Sequence, residues 1–285
     1  LVAAEHNKVG LEKLVIGVNV NGESKAYPIQ IIGYHHQVRD TVGGTPVMVT
    51  YCTVCRTGRV FSPTMNGKPE TFRLVGMDHF NAMFEDATTK SWWRQVTGES
   101  VAGPLKGTKL NELPSQQTTL GNWLRLHPDS KILQPDSAFA EQYADLELFD
   151  KGTIKSGLEK RDSGSWKMKS WVIGIESNQF SKAYDWNRLL SEKMIQDSIG
   201  SLPVLLTLAD DSVNFYVHDR RLNNSVLSFE RAIGDTLIDI QSRSKWTMDG
   251  VCVSGPYADK KLERVQAYQE FWHSWQTFHP NTTKY

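Results

Sequence analysis

The residues best suited to chemistry in this chain are Cys52 and Cys55, in the run Tyr51-Cys52-Thr53-Val54-Cys55-Arg56. Two thiols at this spacing can hold one soft metal ion, exchange with disulfides, or pack inertly, and their flanks narrow the choice. Covalent haem attachment requires histidine directly after the second cysteine, where this chain has Arg56. A thioredoxin-type pair sits where a strand hands over to a helix, whose N-terminus lowers the thiol pKa. Here PVMVTY reads as a strand, and RTGRVFS as a turn and another strand, so a thioredoxin fold is not expected. Two active readings remain open. In one, Cys52 and Cys55 bind a copper or zinc ion with histidine help, since thiolate with imidazole suits those metals better than magnesium or calcium. In the other, Cys52 is a catalytic nucleophile and Cys55 its resolving thiol. Arg56 beside the pair is expected to favour the thiolate in both.

The elements that must position these cysteines occur twice. VIGV at Val15–Val18 returns as VIGI at Val172–Ile175, Lys25-Ala26-Tyr27 as Lys182-Ala183-Tyr184, and Asp40–Gly43 as Asp197–Gly200, all at one offset of 157 (172 − 15). Gly98…Gly103-Pro104 returns as Gly250…Gly255-Pro256, Trp123 as Trp275 and His127-Pro128 as His279-Pro280, at a second offset of 152 (250 − 98). Two colinear series separated by one small net deletion read as a tandem duplication. The expected organisation is a first lobe over residues 1–128, a linker with one helix over 129–165, and a degenerate second lobe over 166–285.

Within each copy the pattern is mainly β, of α+β type. LVIGVNV, SWVIGI, PVMVTY and PVLLTL are β-branched runs, and Asn21-Gly22 and Asn66-Gly67 mark tight hairpins. Short helices are expected at Pro28–Ile32, at Trp186–Met194, in SAFAEQYADLELF and before each His-Pro. Each lobe is therefore read as a bent, partial-barrel-like sheet with short helices.

The duplication separates scaffold from site. Residues present in both copies serve the fold, which assigns His127, His279, Trp123, Trp275, Trp92, Trp93 and Trp246 to packing. The first copy alone has the cysteine pair, where the second has Ala209-Asp210-Asp211-Ser212. It alone has His35-His36 against Glu192-Lys193, and Asp78-His79 against Thr236-Leu237. His35, His36 and His79 are thus the candidate metal ligands beside Cys52 and Cys55. His35 is the first choice, because successive side chains on an extended segment face opposite ways. Cys252, in Val-Cys-Val, reads as a buried inert thiol.

Bulk properties exclude several partners. The 285 residues carry 32 basic and 32 acidic side chains, with no run of one sign, which argues against nucleic acid or an anionic membrane surface. No apolar stretch reaches the roughly 20 residues of a membrane span. Neither nucleotide nor haem is expected. LVAAEHNKVG shows no basic and apolar signal segment, as a chain trimmed of one also would not. Three cysteines are too few for a disulfide framework.

KAYPIQIIGYHHQVRDTVGGTPVMVTYCTVCRTGRVFS, SWWRQVTGESVAGPLKGTKLNELPSQQTT and WLRLHPDSKIL resemble the bacterial and archaeal domain of unknown function 3179. The resemblance places Tyr34-His35 at an aromatic-His position and Cys52 and Cys55 at two cysteine positions. Thr53, Val54 and Arg56 depart from that pattern, and relatives with Thr at the second cysteine make Cys52 the firmer ligand. The resemblance implies a mature chain outside the cytoplasm, periplasmic or extracellular, and points to no particular activity. The expected function is an extracytoplasmic copper- or zinc-binding protein. A thiol oxidoreductase and a non-catalytic module holding a small molecule between its lobes are the alternatives.

Overall fold

The computed structural model describes every residue except Asn66, so the turn expected at Asn66-Gly67 lies partly outside the described residues. Among the described residues the chain is mainly β, with five short α-helices, and its strands form several separate sheets with no closed barrel. Two compact units result: residues 1–170 with 269–280, and residues 171–268 with 281–285.

The duplication is visible in the pairing itself. Strand Leu14–Val20 pairs antiparallel with Glu23–Pro28, Ile16 opposite Tyr27, through the expected turn at Asn21-Gly22, where both residues are left-handed. Strand Trp171–Ser177 pairs with Phe180–Asp185 in the same register, Ile173 opposite Tyr184. A seven-residue helix follows each time, Ile29–His35 and Trp186–Glu192, ending on a left-handed residue, His36 or Lys193. The shared polar residues explain themselves as fold. Lys25 and Tyr27 both donate to Asp40, as Lys182 and Tyr184 do to Asp197. The indoles of Trp93 and Trp246 donate to buried Asp86 and Asp239, each at 2.9 Å. Trp123 and Trp275 lie mid-helix against His127 and His279, the residues that end those helices, with ring centroids 4.0 and 3.7 Å apart. Gly17 is required beneath the first of these, because a Cβ there would lie 2.3 Å from the Trp123 ring. Trp92 departs from its expected packing role. It is 46% exposed and donates to Glu85 from the open face of its strand.

Strand Thr45–Cys52 is buried on both faces and divides the first unit's interior. Val47, Val49 and Tyr51 point into one core with Ile16, Tyr27, Ile32 and Val60. Met48 and Cys52 point into another, with Cys55, Phe61, Phe72, Phe84 and Trp93. The two-residue period of a strand makes this division. The compact units are bounded elsewhere than the repeats. Residues 129–165, expected as a linker, lend Leu146, Phe149 and Ile154 to the first of these cores. Residues 269–280, which belong by descent to the second copy, pack in the first unit. A polar, glycine-containing composition hid the few apolar side chains that anchor the linker segment.

Trp123 and Trp275 are 2% and 0% exposed. Trp123→Ala and Trp275→Ala should each destabilise by about 3–5 kcal/mol in chemical denaturation. A neutral result at either position would remove it from the scaffold.

Candidate functional site

Cys52 ends its strand opposite Thr57, the first residue of strand Thr57–Phe61, so Thr53–Arg56 form the connecting turn and carry Cys55 back toward Cys52. All three cysteines are free and buried. Both thiols of the pair reach the carbonyl oxygen of Phe80, each sulfur 3.4 Å from it. The sulfurs also hydrogen-bond to one another, and backbone N–H groups of Ala82 and Cys55 donate to Cys52. Burial pushes the Cys52 thiol up, but these hydrogen bonds outweigh it and leave Cys52 below the ordinary thiol range. Cys55 is pushed the other way, by its hydrogen bond to Cys52 and by burial. Of the two sulfurs, Cys52 is the one whose thiolate the surrounding hydrogen bonds favour.

The Phe80 carbonyl is delivered by a strained turn. Strands Phe72–Asp78 and Asn81–Asp86 are joined by His79 and Phe80 alone, with Asp78 opposite Asn81. Both turn residues are left-handed, φ 48° and 69°. A two-residue hairpin demands this, and Asn-Gly would supply it easily; His and Phe do so at a cost on the order of 1 kcal/mol or more each. The contacts that hold the tip are polar and aromatic. Arg94 donates twice to Asp78, at 2.9 and 2.7 Å, and the rings of His79 and Phe80 meet those of Phe278 and His273 edge-on.

Behind the turn stand four residues that sequence reasoning missed. The Cys55 carbonyl accepts from Phe271 N–H, docking the segment that leads into helix Trp272–Phe278. From it His273 Nε2 comes within 3.1 Å of the Val54 carbonyl, Ser274 hydrogen-bonds Cys55, and Glu270 takes a 3.1 Å hydrogen bond from buried Arg59. Lys169 donates to the same Val54 carbonyl at 2.8 Å. Burial, then the neighbouring Lys169, holds the His273 imidazole down to about 4, so it is neutral near pH 7. The duplication carried the signal for three of them: at the 152 offset, Glu270, His273 and Ser274 stand where the first copy has Thr118, Gly121 and Asn122. These three are unique to the second copy, whereas the cysteine pair and the candidate histidines are unique to the first.

The other expected residues lie apart from the sulfurs. His35 Nε2 is 2.8 Å from the Tyr143 hydroxyl, in an aromatic group with Tyr34 and Phe139. His36 is the left-handed helix cap, and its carbonyl accepts from Tyr51 N–H. His79 is exposed, with Nδ1 2.6 Å from Asp78. Among the described residues no three of His, Cys, Asp and Glu are grouped as a metal would need. Arg56, expected to favour the thiolate, is left-handed and turns into the core, donating to the carbonyls of Phe149 and Asp150. Cys252 is 1% exposed and burial pushes its thiol up.

Fold and site together define a duplicated β-rich protein with one buried dithiol, found in one unit. The chain belongs to the family described as a protein of unknown function (DUF3179), whose profile matches residues 2–282. No curated protein and no solved structure matches it. No helix among the described residues is long and apolar enough to cross a membrane.

A histidine held neutral by folding gains its proton more readily in the unfolded chain. Stability should therefore fall as pH drops from about 6.5 toward about 4. His273→Asn should shrink the difference between urea midpoints measured at about pH 7 and about pH 4.5. An unchanged difference would mean His273 is not buried as described.

Proposed function

We propose that Cys52 and Cys55 form a dithiol–disulfide couple, making the protein a thiol oxidoreductase. One observation carries this reading: the two free thiols are brought side by side by one turn, both converging on the Phe80 carbonyl at 3.4 Å, with no third ligand grouped beside them among the described residues. Two thiols so placed can close a disulfide, and Cys52, whose thiolate the surrounding hydrogen bonds favour, is the attacking one. The Cys52 thiolate attacks a disulfide RS–SR, bonding to one sulfur and expelling RS⁻. Cys55 then loses its proton and attacks the Cys52 sulfur, closing the Cys52–Cys55 bond and expelling the second RS⁻. Two electrons pass from the pair to the substrate. The extracytoplasmic setting that the family resemblance implies suits a couple of this kind.

A copper or zinc centre is the competing reading. It retains the two adjacent thiols, but His35, His36 and His79 are engaged elsewhere, so its remaining ligands would have to come from other groups or from rearrangement.

The test is metal analysis of freshly purified protein with thiol titration of the same sample, then oxidation with glutathione disulfide. The expected result is little copper or zinc and an internal Cys52–Cys55 disulfide seen by peptide mapping. Cys52→Ser should abolish it, Cys55→Ser should stop at a mixed disulfide on Cys52, and Cys252→Ser should change nothing. Stoichiometric metal with untitratable thiols would overturn the proposal in favour of the metal centre.

A further inference from the structure

The two copies differ in length at one informative place. Phe72 pairs with Asp86, and its counterpart Phe229 pairs with Asp239, so these hairpins span 14 (86 − 72) and 10 (239 − 229) positions. Four of the five residues (157 − 152) separating the two repeat offsets are therefore extra length in this one hairpin of the first copy. The copy with the cysteines has the longer hairpin, and the extension ends in the His79-Phe80 tip whose carbonyl meets both sulfurs.

Cys52 is 4% exposed and Cys55 0%, so no disulfide reaches them in the structure as it stands. Phe80 in the tip is 49% exposed, and the His79 side chain 70%. Outward displacement of the tip would break the two thiol hydrogen bonds to Phe80, two edge-on ring contacts and the Asp78–Arg94 pair. It would also release two left-handed non-glycine residues from the conformation that the closed turn imposes.

We propose that this hairpin extension is the access gate of the dithiol, with Phe80 as the residue that decides what reaches Cys52. The purpose of the gate rests on the dithiol reading; its existence does not. Closed, the tip excludes water and reagents and presents an acceptor to both thiols. Open, it exposes the Cys52 sulfur beside an aromatic side chain, which favours disulfides with an apolar or aromatic substituent over small charged ones. Arg94 is the latch, acting through Asp78.

The probe is 5,5′-dithiobis(2-nitrobenzoic acid), an aromatic disulfide whose reaction with a thiol is followed by absorbance, used on the full chain carrying Cys252→Ser. Arg94→Gln, which loosens the latch, and Phe80→Gly, which keeps the carbonyl and the left-handed backbone but removes the ring, should each speed the reaction by about tenfold or more. The wild-type rate should be flat in low urea, since local opening exposes little surface. Unchanged rates in both variants, or a wild-type rate rising with urea as steeply as global unfolding, would overturn the gate. The dithiol reading is tested separately by peptide mapping after incubation with 2,2′-dithiodipyridine, an aromatic disulfide oxidising enough to accept two electrons from such a pair. Absence of a Cys52–Cys55 bond there would sink that reading, while accelerated labelling in the variants would still establish the gate.

Discussion

The first unit depends on one buried ion pair. Arg59 and Glu270 are 2% and 0% exposed and meet at 3.1 Å. Removing a guanidinium and a carboxylate from water costs several kcal/mol apiece, and only close mutual contact with further hydrogen bonds offsets it. Those bonds are present: Arg59 donates to the Val96 carbonyl and Ser274 to Glu270. The pair cannot be loosened gradually, because parting it leaves a buried charge alone. It therefore fixes residues 269–280 against strand Thr57–Phe61, and with them His273 and Ser274 against the cysteine turn. Arg56 extends the same arrangement, donating to Gln269 and to the carbonyls of Phe149 and Asp150.

Around that anchor the strand Thr45–Cys52 partitions the interior. Its even-numbered positions, Met48 and Cys52, enter the core where the sulfurs meet Phe80; its odd-numbered ones, Val47, Val49 and Tyr51, enter the core under the helix that carries His35. The alternation explains why the His35–His36 segment and the cysteines, close along the sheet, do not converge. His36 bonds through its backbone to Tyr51, whose side chain faces away from that of Cys52.

The fold was legible to the extent that it is periodic and repeated. The β-branched runs, the Asn21-Gly22 turn and the helices before each His-Pro all rest on local preferences that the structure keeps, and repetition doubled each signal. The site was legible in part. The cysteines stood out by type and spacing, and their absence from the second copy marked them. The three histidines have other partners than the sulfurs, which sequence proximity could not show, because neighbours in sequence say nothing of which face of a sheet they occupy. Glu270 and His273 were hidden because they arrive from more than 200 positions away, through docking that no local pattern encodes. Arg56 was misplaced for a related reason: a left-handed backbone turned its side chain away from the thiols it follows.

The return of residues 269–280 to the first unit bears on how such a protein can change over time. The cysteine-bearing unit keeps the terminal helix of its own copy, Leu120–Leu126, and also takes in Trp272–Phe278, a helix encoded after the other unit. With Glu270, His273 and Ser274 built into the first unit, the second copy could not be lost or moved to another gene without dismantling the first unit's interior. The duplication is entrenched. Lineages inheriting it are free to vary the second unit's surface, but not to discard the chain that threads through it.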